Sequence, residues 1–577
     1  MTSYSILING TELNSAYNVL SIIINKKVNS IPIAEIVLQD GTPAIQKFEI
    51  SDSEDLLPGR VIEIKAGNGG ENHQAFKGII TGHALTIKEK GVSQLLIHCS
   101  DEAVRMTAGR HSRYFQQLKD SDVFEQLIGS YKLTGDAEAT NVEHKELVQQ
   151  HMSDWDFILL RAEANGMLAN VNAGTVKIRR PSGDAKPVLS VVYGESLIDF
   201  QAEMDARYQW KNVEATSWDY ASQDLLKAID SGAWTFAEPG NISSSKLSTT
   251  LGLDKFQLHH GGQLPQPELQ DWADAVMLRS KLAKIKGRAK IQGNAAVNPG
   301  DLVTLRGISD RFNGDVYIAA VTQEISNGDW YTYLEFGLDS TSYAAAHREV
   351  NELPSAGLIG SIHGLQIGKV LQLESDPDGQ DRILVKMPVI DNNAAGTWVR
   401  VASLDAGSGR GAFFRPEIGD EVIVGFVNSD PRQAVMLGML HSSAKPAPIN
   451  AHDSNDEKGF TTRSKMHIYF NDRTKTISID TPSGNSIILD EEGARIEIRD
   501  QNNNKISLNS NGIKLESPLN VEINAGINLT LSAGSAVNVK APSISGKADA
   551  NLDLEGALTK LSATGITEIS GSLIKIN

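Results

Sequence analysis

Five places in the 577-residue chain carry residue types that do chemistry. Asp376, Asp378 and Asp381 gather carboxylates as a hard cation would require. A calcium loop, however, spreads its ligands over about twelve residues and closes on a glutamate. That spacing is absent, so a solvated turn is expected. His259-His260 before Gly261-Gly262 offers imidazole to a metal, but no second His or Cys pair stands at ligand spacing. A polar loop is expected there. His98-Cys99 pairs a base with a thiol; adjacent strand residues point to opposite faces, so Cys99 is expected as a buried structural thiol. Gly407-Ser408-Gly409-Arg410-Gly411 is glycine-rich like a phosphate loop, yet it lacks the Lys-Ser/Thr ending and a helix after it. Asp490-Glu491-Glu492-Gly493 sets carboxylates side by side between two alternating strands, where an acidic turn keeps strand edges soluble. None of these constellations supports catalysis. No catalytic, cofactor-binding or metal residue is expected, and no enzyme.

The elements around these residues divide into an aromatic-bearing part and an aromatic-free part. All seven tryptophans lie between Trp155 and Trp398. The stretch to about Ile97 reads as strands and turns, with strands at 61–64, 78–82 and 94–97. Helical patterns follow. Asp120 or Ser121 is placed to cap a helix through Val123, Phe124, Leu127 and Ile128. Ser153 is placed to cap another through Phe157, Leu160 and Ala164, ending at Gly166. A third helix, from about 267 to 284, lies among further strands at 175–178, 301–305 and 330–336. This is an α+β region. A small, Gly-rich linker at 356–364 leads to five short strands at turn-punctuated spacing, the pattern of a closed barrel of the oligonucleotide/oligosaccharide-binding (OB) type. A Pro- and Ala-containing linker, 444–451, follows it.

From Asn471 to Asn577 there is no Phe, Tyr, Trp, Met, Cys or His, only short aliphatic-polar alternations such as 476–480, 495–499 and 520–524. Each reads as a strand with one apolar face. Between Ile513 and Val539 the aliphatics recur every eight residues in two columns. One is Ile513, Val521, Leu529 and Val537; the other is Leu515, Ile523, Leu531 and Val539. No eight-residue step is wide enough to bury its own aliphatics, so stacking must do it. A single-chain β-helix needs on the order of 20 residues per coil, a length estimated from ordinary strands. Three copies of an eight-residue step supply that length. The pattern predicts a three-chain intertwined β-prism with a dry aliphatic axis. About 13 stacked steps would make a shaft roughly 60 Å long.

Composition bounds the function. A net charge of −17 argues against binding nucleic acid by phosphate neutralisation. The lone Cys99 excludes an intramolecular disulfide and fits synthesis in a reducing compartment. Met1-Thr2-Ser3-Tyr4-Ser5-Ile6 shows no basic region followed by an apolar one, so no signal peptide is expected, and no apolar run is long enough to span a membrane.

The barrel segment also carries a resemblance. Asp376-Pro377-Asp378-Gly379, Thr397-Trp398-Val399-Arg400-Val401, Ala406 to Gly411 and Arg415 to Val422 occur in that order. Val424-Gly425-Phe426, Asn428-Ser429-Asp430-Pro431 and Val435-Met436-Leu437-Gly438 complete the series. It closely resembles the barrel of VgrG proteins, the spikes of type VI secretion and related contractile injection systems. Ser429 departs from the glycine of many members, a minor turn change. Ser153 to Glu163 followed by Asn165-Gly166 looks like the family's tail-hub segment.

The resemblance implies a mainly β protein with an α+β hub. Residues 1–355 would form a phage tail-hub-like domain of two β-barrels with helical insertions, 356–367 a linker and 368–443 the OB-fold barrel. A linker and needle neck would occupy 444–470, and a trimeric β-helix needle 471–577. Only about 20 residues separate barrel from needle, so the lysozyme domain of some tailed-phage spikes has no room, and no toxin domain is seen past the needle. It further implies a homotrimeric spike, made and assembled in the cytoplasm and then ejected, that punctures a target envelope. Inner tube protein, baseplate proteins, effector cargo and transient target-membrane contact are the expected partners. A PAAR-type tip protein would cap Gly571, Ser572, Leu573, Ile574, Lys575, Ile576 and Asn577. The competing expectation is a trimeric tailspike-like enzyme or adhesin acting on polysaccharide. It would need carboxylates beside aromatic sugar platforms, and the shaft sequence has no aromatics.

Overall fold

The computed structural model describes residues 2–89, 93–183, 185–233, 237–393 and 395–576. Contacts divide the chain into two units, Met1–Gly438 and Met439–Asn577.

In the first unit, alternating strands such as Val19–Lys27, Ile33–Gln39 and Ser93–Ser100 turn one aliphatic set inward. Ile22, Ile24, Ile36, Leu38, Leu95 and Ile97 are all buried in one core. Two barrels are the sequence-based expectation for 1–355. Among the described residues these strands form one branched sheet of thirteen strands that serves two cores. The reason is the long strand Gly314–Ser326, which pairs with both Val19–Lys27 and Asp329–Phe336. Its Ile318 and Val321 enter one core with Ile291, Leu334 and Phe336, whereas Ile325 enters the other.

The helical insertion packs Phe124, Leu127 and Ile128 of helix Asp120–Ser130 against Phe157, Ile158 and Leu159 of helix Asp154–Ala164. Ser153 caps the latter, its Oγ accepting from the Asp156 amide at 3.0 Å. The helix ends at Asn165 before Gly166, whose φ of +67° is a conformation that only glycine adopts without cost. Asp120 is the first helical residue rather than the cap; its carboxylate is drawn into a buried network described below. The third helix runs Gln266–Leu282.

The closed barrel is ordered Gln366–Gln372, Ile383–Lys386, Thr397–Val401, Ala434–Met439, Glu421–Phe426. Val370, Ile383, Val385, Val399, Val422 and Val424 fill it.

The second unit holds an antiparallel meander of seven strands, each paired to the next, from Glu457–Thr461 to Gly512–Glu516. Its first two strands, Glu457–Thr461 and His467–Asn471, fall where the sequence suggests a neck. Beyond Glu516 the chain has no helix and no paired strand among the described residues. Its backbone turns sharply at 518–519, 526–527, 534–535, 542, 549–550, 557–558, 564–565 and 572, a step of seven or eight residues throughout. The aliphatic columns lose phase after Val539, but the bends keep their rhythm. Among the described residues no helix is long and apolar enough to cross a membrane.

Candidate functional site

Alternation puts every second residue of the meander on one face. Strand register then stacks these residues into two ladders. One passes through Ile468, Ile479, Ile487, Ile498, Ile506 and Leu515; the other through Phe470, Ile477, Leu489, Ile496, Leu508 and Ile513. A groove of about 600 Å³ runs along each ladder. Most of these side chains are exposed. The opposite face is polar and ion-paired, with Glu497 2.7 Å from Lys505 and Asp490 3.1 Å from Arg495. A sheet polar on one side and aliphatic on the other has one face to cover.

The predicted needle core is split by this geometry. Ile513 and Leu515 are the last rungs of the ladders, in strand Gly512–Glu516. Val521, Ile523, Leu529, Leu531, Val537 and Val539 lie in the unpaired tail, all exposed in the single chain. The stretch 520–524, expected as a strand, has no ladder partner in its own chain. Among the described residues, no backbone-to-backbone hydrogen bond joins 517–576 to any part of the chain. Of the predicted tip site, Gly571 to Ile576 share this unpaired state, and Asn577 lies outside the described residues. Reading columns from Ile513 onward misses the earlier rungs from Ile468 to Leu508, although the same alternation marks them.

The other candidates resolve into local structure. Arg382 binds Asp376 at 2.6 Å and also pairs with Asp378, while Arg415 pairs with Asp381. The arginine beside it holds the Asp376 carboxyl well below the usual range. His259 Nδ1 lies 2.7 Å from the Thr216 hydroxyl, and His260 Nδ1 lies 3.0 Å from the Gly262 carbonyl. Cys99 is buried, and desolvation pushes its thiol up to about 12; His98 sits on the other face near Glu35. Residues 406–411 form a small hairpin, Ala406–Gly407 with Arg410–Gly411. Asp490 accepts from the Gly493 amide at 2.7 Å, closing an acidic turn. Among the described residues no group of three His, Cys, Asp or Glu is placed to hold a metal.

One titratable cluster was not legible in advance. Asp120, His144, Arg161, Asn165 and Glu268 meet from four separate elements. Arg161 donates to Asp120 through Nε at 2.7 Å and Nη2 at 2.9 Å, and to Glu268 at 2.9 Å. His144 Nε2 lies 3.0 Å from Asp120 Oδ2, to which Asn165 also donates at 2.9 Å. Burial alone would raise Asp120, but the donors of His144, Arg161 and Asn165 outweigh it and hold the carboxyl well below its ordinary value. This network ties the helices together. No local signal announces it, because its members lie up to 148 residues apart.

Comparison with known proteins places these parts. A family model described as the Alg8 N-terminal domain matches residues 1–327, and one for the type VI secretion system/phage-baseplate injector OB domain matches 366–441. The type VI secretion system spike protein VgrG1b of Pseudomonas aeruginosa is 22% identical over 393 residues, covering 62% of this chain and 50% of that protein. The spike protein VgrG3 of Vibrio cholerae is 32% identical over 98 residues, 17% of this chain and 9% of that one. The chain thus spans half the length of the first of these relatives. Among solved structures, the 43 kDa tail protein of prophage MuSo2 from Shewanella oneidensis aligns over 59% of this chain and 99% of its own, at 10% identity and a TM-score of 0.46.

Proposed function

The chain belongs to the Alg8 N-terminal domain family and is a VgrG-like spike protein, and from that premise we propose that three copies assemble into the hub and needle of a contractile injection machine. The observation that carries this reading is the tail's backbone. A segment with evenly spaced bends leaves its N–H and C=O groups without backbone partners in its own chain, whereas a shaft that excludes water has to pair them. The apolar ladders of the meander demand cover at the same time. Copies of the same chain meet both needs: strands of one pair with strands of the others, and three aliphatic faces turn to a common axis.

The role is structural rather than catalytic. Force passes along a shaft without internal sheet edges, and the work is puncture of a target envelope. Inner tube and baseplate proteins would hold the hub end. A PAAR-type tip protein would add to the free backbone groups of 571–577, effectors would travel as cargo, and the particle would leave the cell by ejection.

Native mass measurement of the full chain tests the core of this. A trimer that loses its third-order assembly in Leu529→Asp is expected, since three carboxylates would meet in an aliphatic axis. A monomer, or a trimer indifferent to Leu529→Asp, overturns the proposal.

A further inference from the structure

On the three-chain reading, on which this inference rests, each straight stretch of the tail lies on one side of a three-sided shaft and each bend carries its chain to the next side. Threefold symmetry puts the three copies of a stretch on the three sides at one level. One step later each chain has moved to the next side and up by one strand, about 4.8 Å. The strand above any strand therefore belongs to a different chain and is one step further along the sequence. Residues one step apart become neighbours between chains.

That rule gives the outward charges partners. Measured from the bends at 549–550, 557–558, 564–565 and 572, Asp553, Lys560, Glu568 and Lys575 each fall two or three residues further on. Each is followed by an aliphatic, Leu554, Leu561, Ile569 or Ile576, which on a strand of that shaft would point to the opposite face. With the aliphatics turned to the axis, the four charges face outward. Their signs alternate at every step, over intervals of seven, eight and seven residues. In the single chain all four are exposed, and among the described residues none is ion-paired. In preceding steps the same position holds Glu522, Thr530, Asn538 and Ser545, so the alternation of sign is confined to the last part of the tail. A second outward position, two residues on, carries Lys540, Lys547 and Glu555 and alternates only at its last step.

We propose that Asp553, Lys560, Glu568 and Lys575 form an interchain ion ladder, repeated on each side of the shaft, that fixes the register of the three copies. Aliphatics recurring at every step pack almost equally well when one chain slips by a whole step, so they do not set register by themselves. The ladder does. A one-step slip puts Asp553 beside Glu568 or another Asp553, and Lys560 beside Lys575 or another Lys560, turning each attraction into like-charge repulsion. A slip of two steps restores the signs but leaves charges unpartnered at the ladder's ends.

The test is refolding of the full chain from denaturant, with trimer yield read by size-exclusion chromatography and light scattering. Lys560→Glu is expected to lower the low-salt yield several-fold, and the deficit closes in about 1 M salt, where the screening length is ~3 Å. Reversing all four signs together (Asp553→Lys, Lys560→Glu, Glu568→Lys, Lys575→Glu) restores alternation and the wild-type yield. Equal low-salt yields for wild type and Lys560→Glu overturn the ladder while leaving the trimer standing. So does a deficit that salt leaves unchanged, or a fourfold reversal that fails to restore. A wild-type chain that never trimerises overturns the three-chain reading, and the ladder with it.

Discussion

Ile22, Ile24, Ile36 and Ile97 of the hub are out of water within a single chain, whereas Ile479, Ile487, Ile498 and Ile506, on strands with the same alternation, are left exposed. The side chains are alike; the pairing differs. The hub sheet joins distant segments, as where the Thr322 hydroxyl donates to Asn25 across 297 residues of sequence, and so it brings other strands and helices to cover its apolar face. In the meander each strand pairs only with the next, which builds one layer and nothing to lie against it. Strand alternation specifies which face is apolar, and connectivity decides whether the chain can bury it alone. The hub can finish its core unaided. The C-terminal unit leaves its apolar face exposed in the single chain.

The sharpest way to break this contrast is Ile498→Asp, in the middle of one ladder. In the proposed trimer, desolvation and mutual repulsion of three carboxylates would act together, whereas a lone exposed strand would barely register the change. Loss of the trimer and of its heat resistance is expected, with the hub's own unfolding transition unmoved. A trimer with unchanged melting temperature would show that this face is not the interface.

The reciprocal change is Asp120→Ala in the hub. It takes one of two carboxylate partners from Arg161, and the hydrogen bond of His144, inside a packed helical cluster, and the loss is expected to stay below the ~3–5 kcal/mol of a fully broken buried pair. The hub transition should fall while trimer mass holds. The same residue gives the hub an acid dependence with a definite sign. Its folded pKa is depressed, so the stabilisation is present above the ordinary aspartate value of about 3.9 and is lost as pH falls below it. Calorimetric scans from neutral to acid pH should show a shallower decline in Asp120→Asn than in wild type.

The sequence revealed these two regions unevenly. Ser153 and Gly166 declare both ends of a helix because capping and left-handed backbone are local chemistry. Val370, Ile383 and Val399 declare barrel strands by alternation alone. Asp120 reads as a helix cap because its true partners, Arg161, Asn165 and Glu268, are brought near only by the fold. The expected columns begin at Ile513, where the eight-residue period is regular, and of them only Ile513 and Leu515 fall on paired rungs. The rungs before it sit at unequal intervals, since antiparallel turns of different length separate them, and a fixed period does not find them. Past Val539 a fixed eight-residue period no longer fits, because steps of seven and eight residues alternate there, and the bends mark each step.

The smallest expected effect is at Cys99, the chain's one thiol, packed among Ile80, Ile97 and Ala34 in the hub core. Thiolate is the reactive form, and burial both pushes the Cys99 thiol up to about 12 and shields its sulfur from reagent. Alkylation must therefore wait for the thirteen-stranded sheet to open, which makes its rate a reporter of hub opening alone. If the hub completes its own core, Ile498→Asp should dissociate the trimer and leave the Cys99 alkylation rate where it was. Faster alkylation in that variant would mean that the hub borrows stability from the C-terminal assembly, and the division between a self-sufficient hub and a dependent tail would fall.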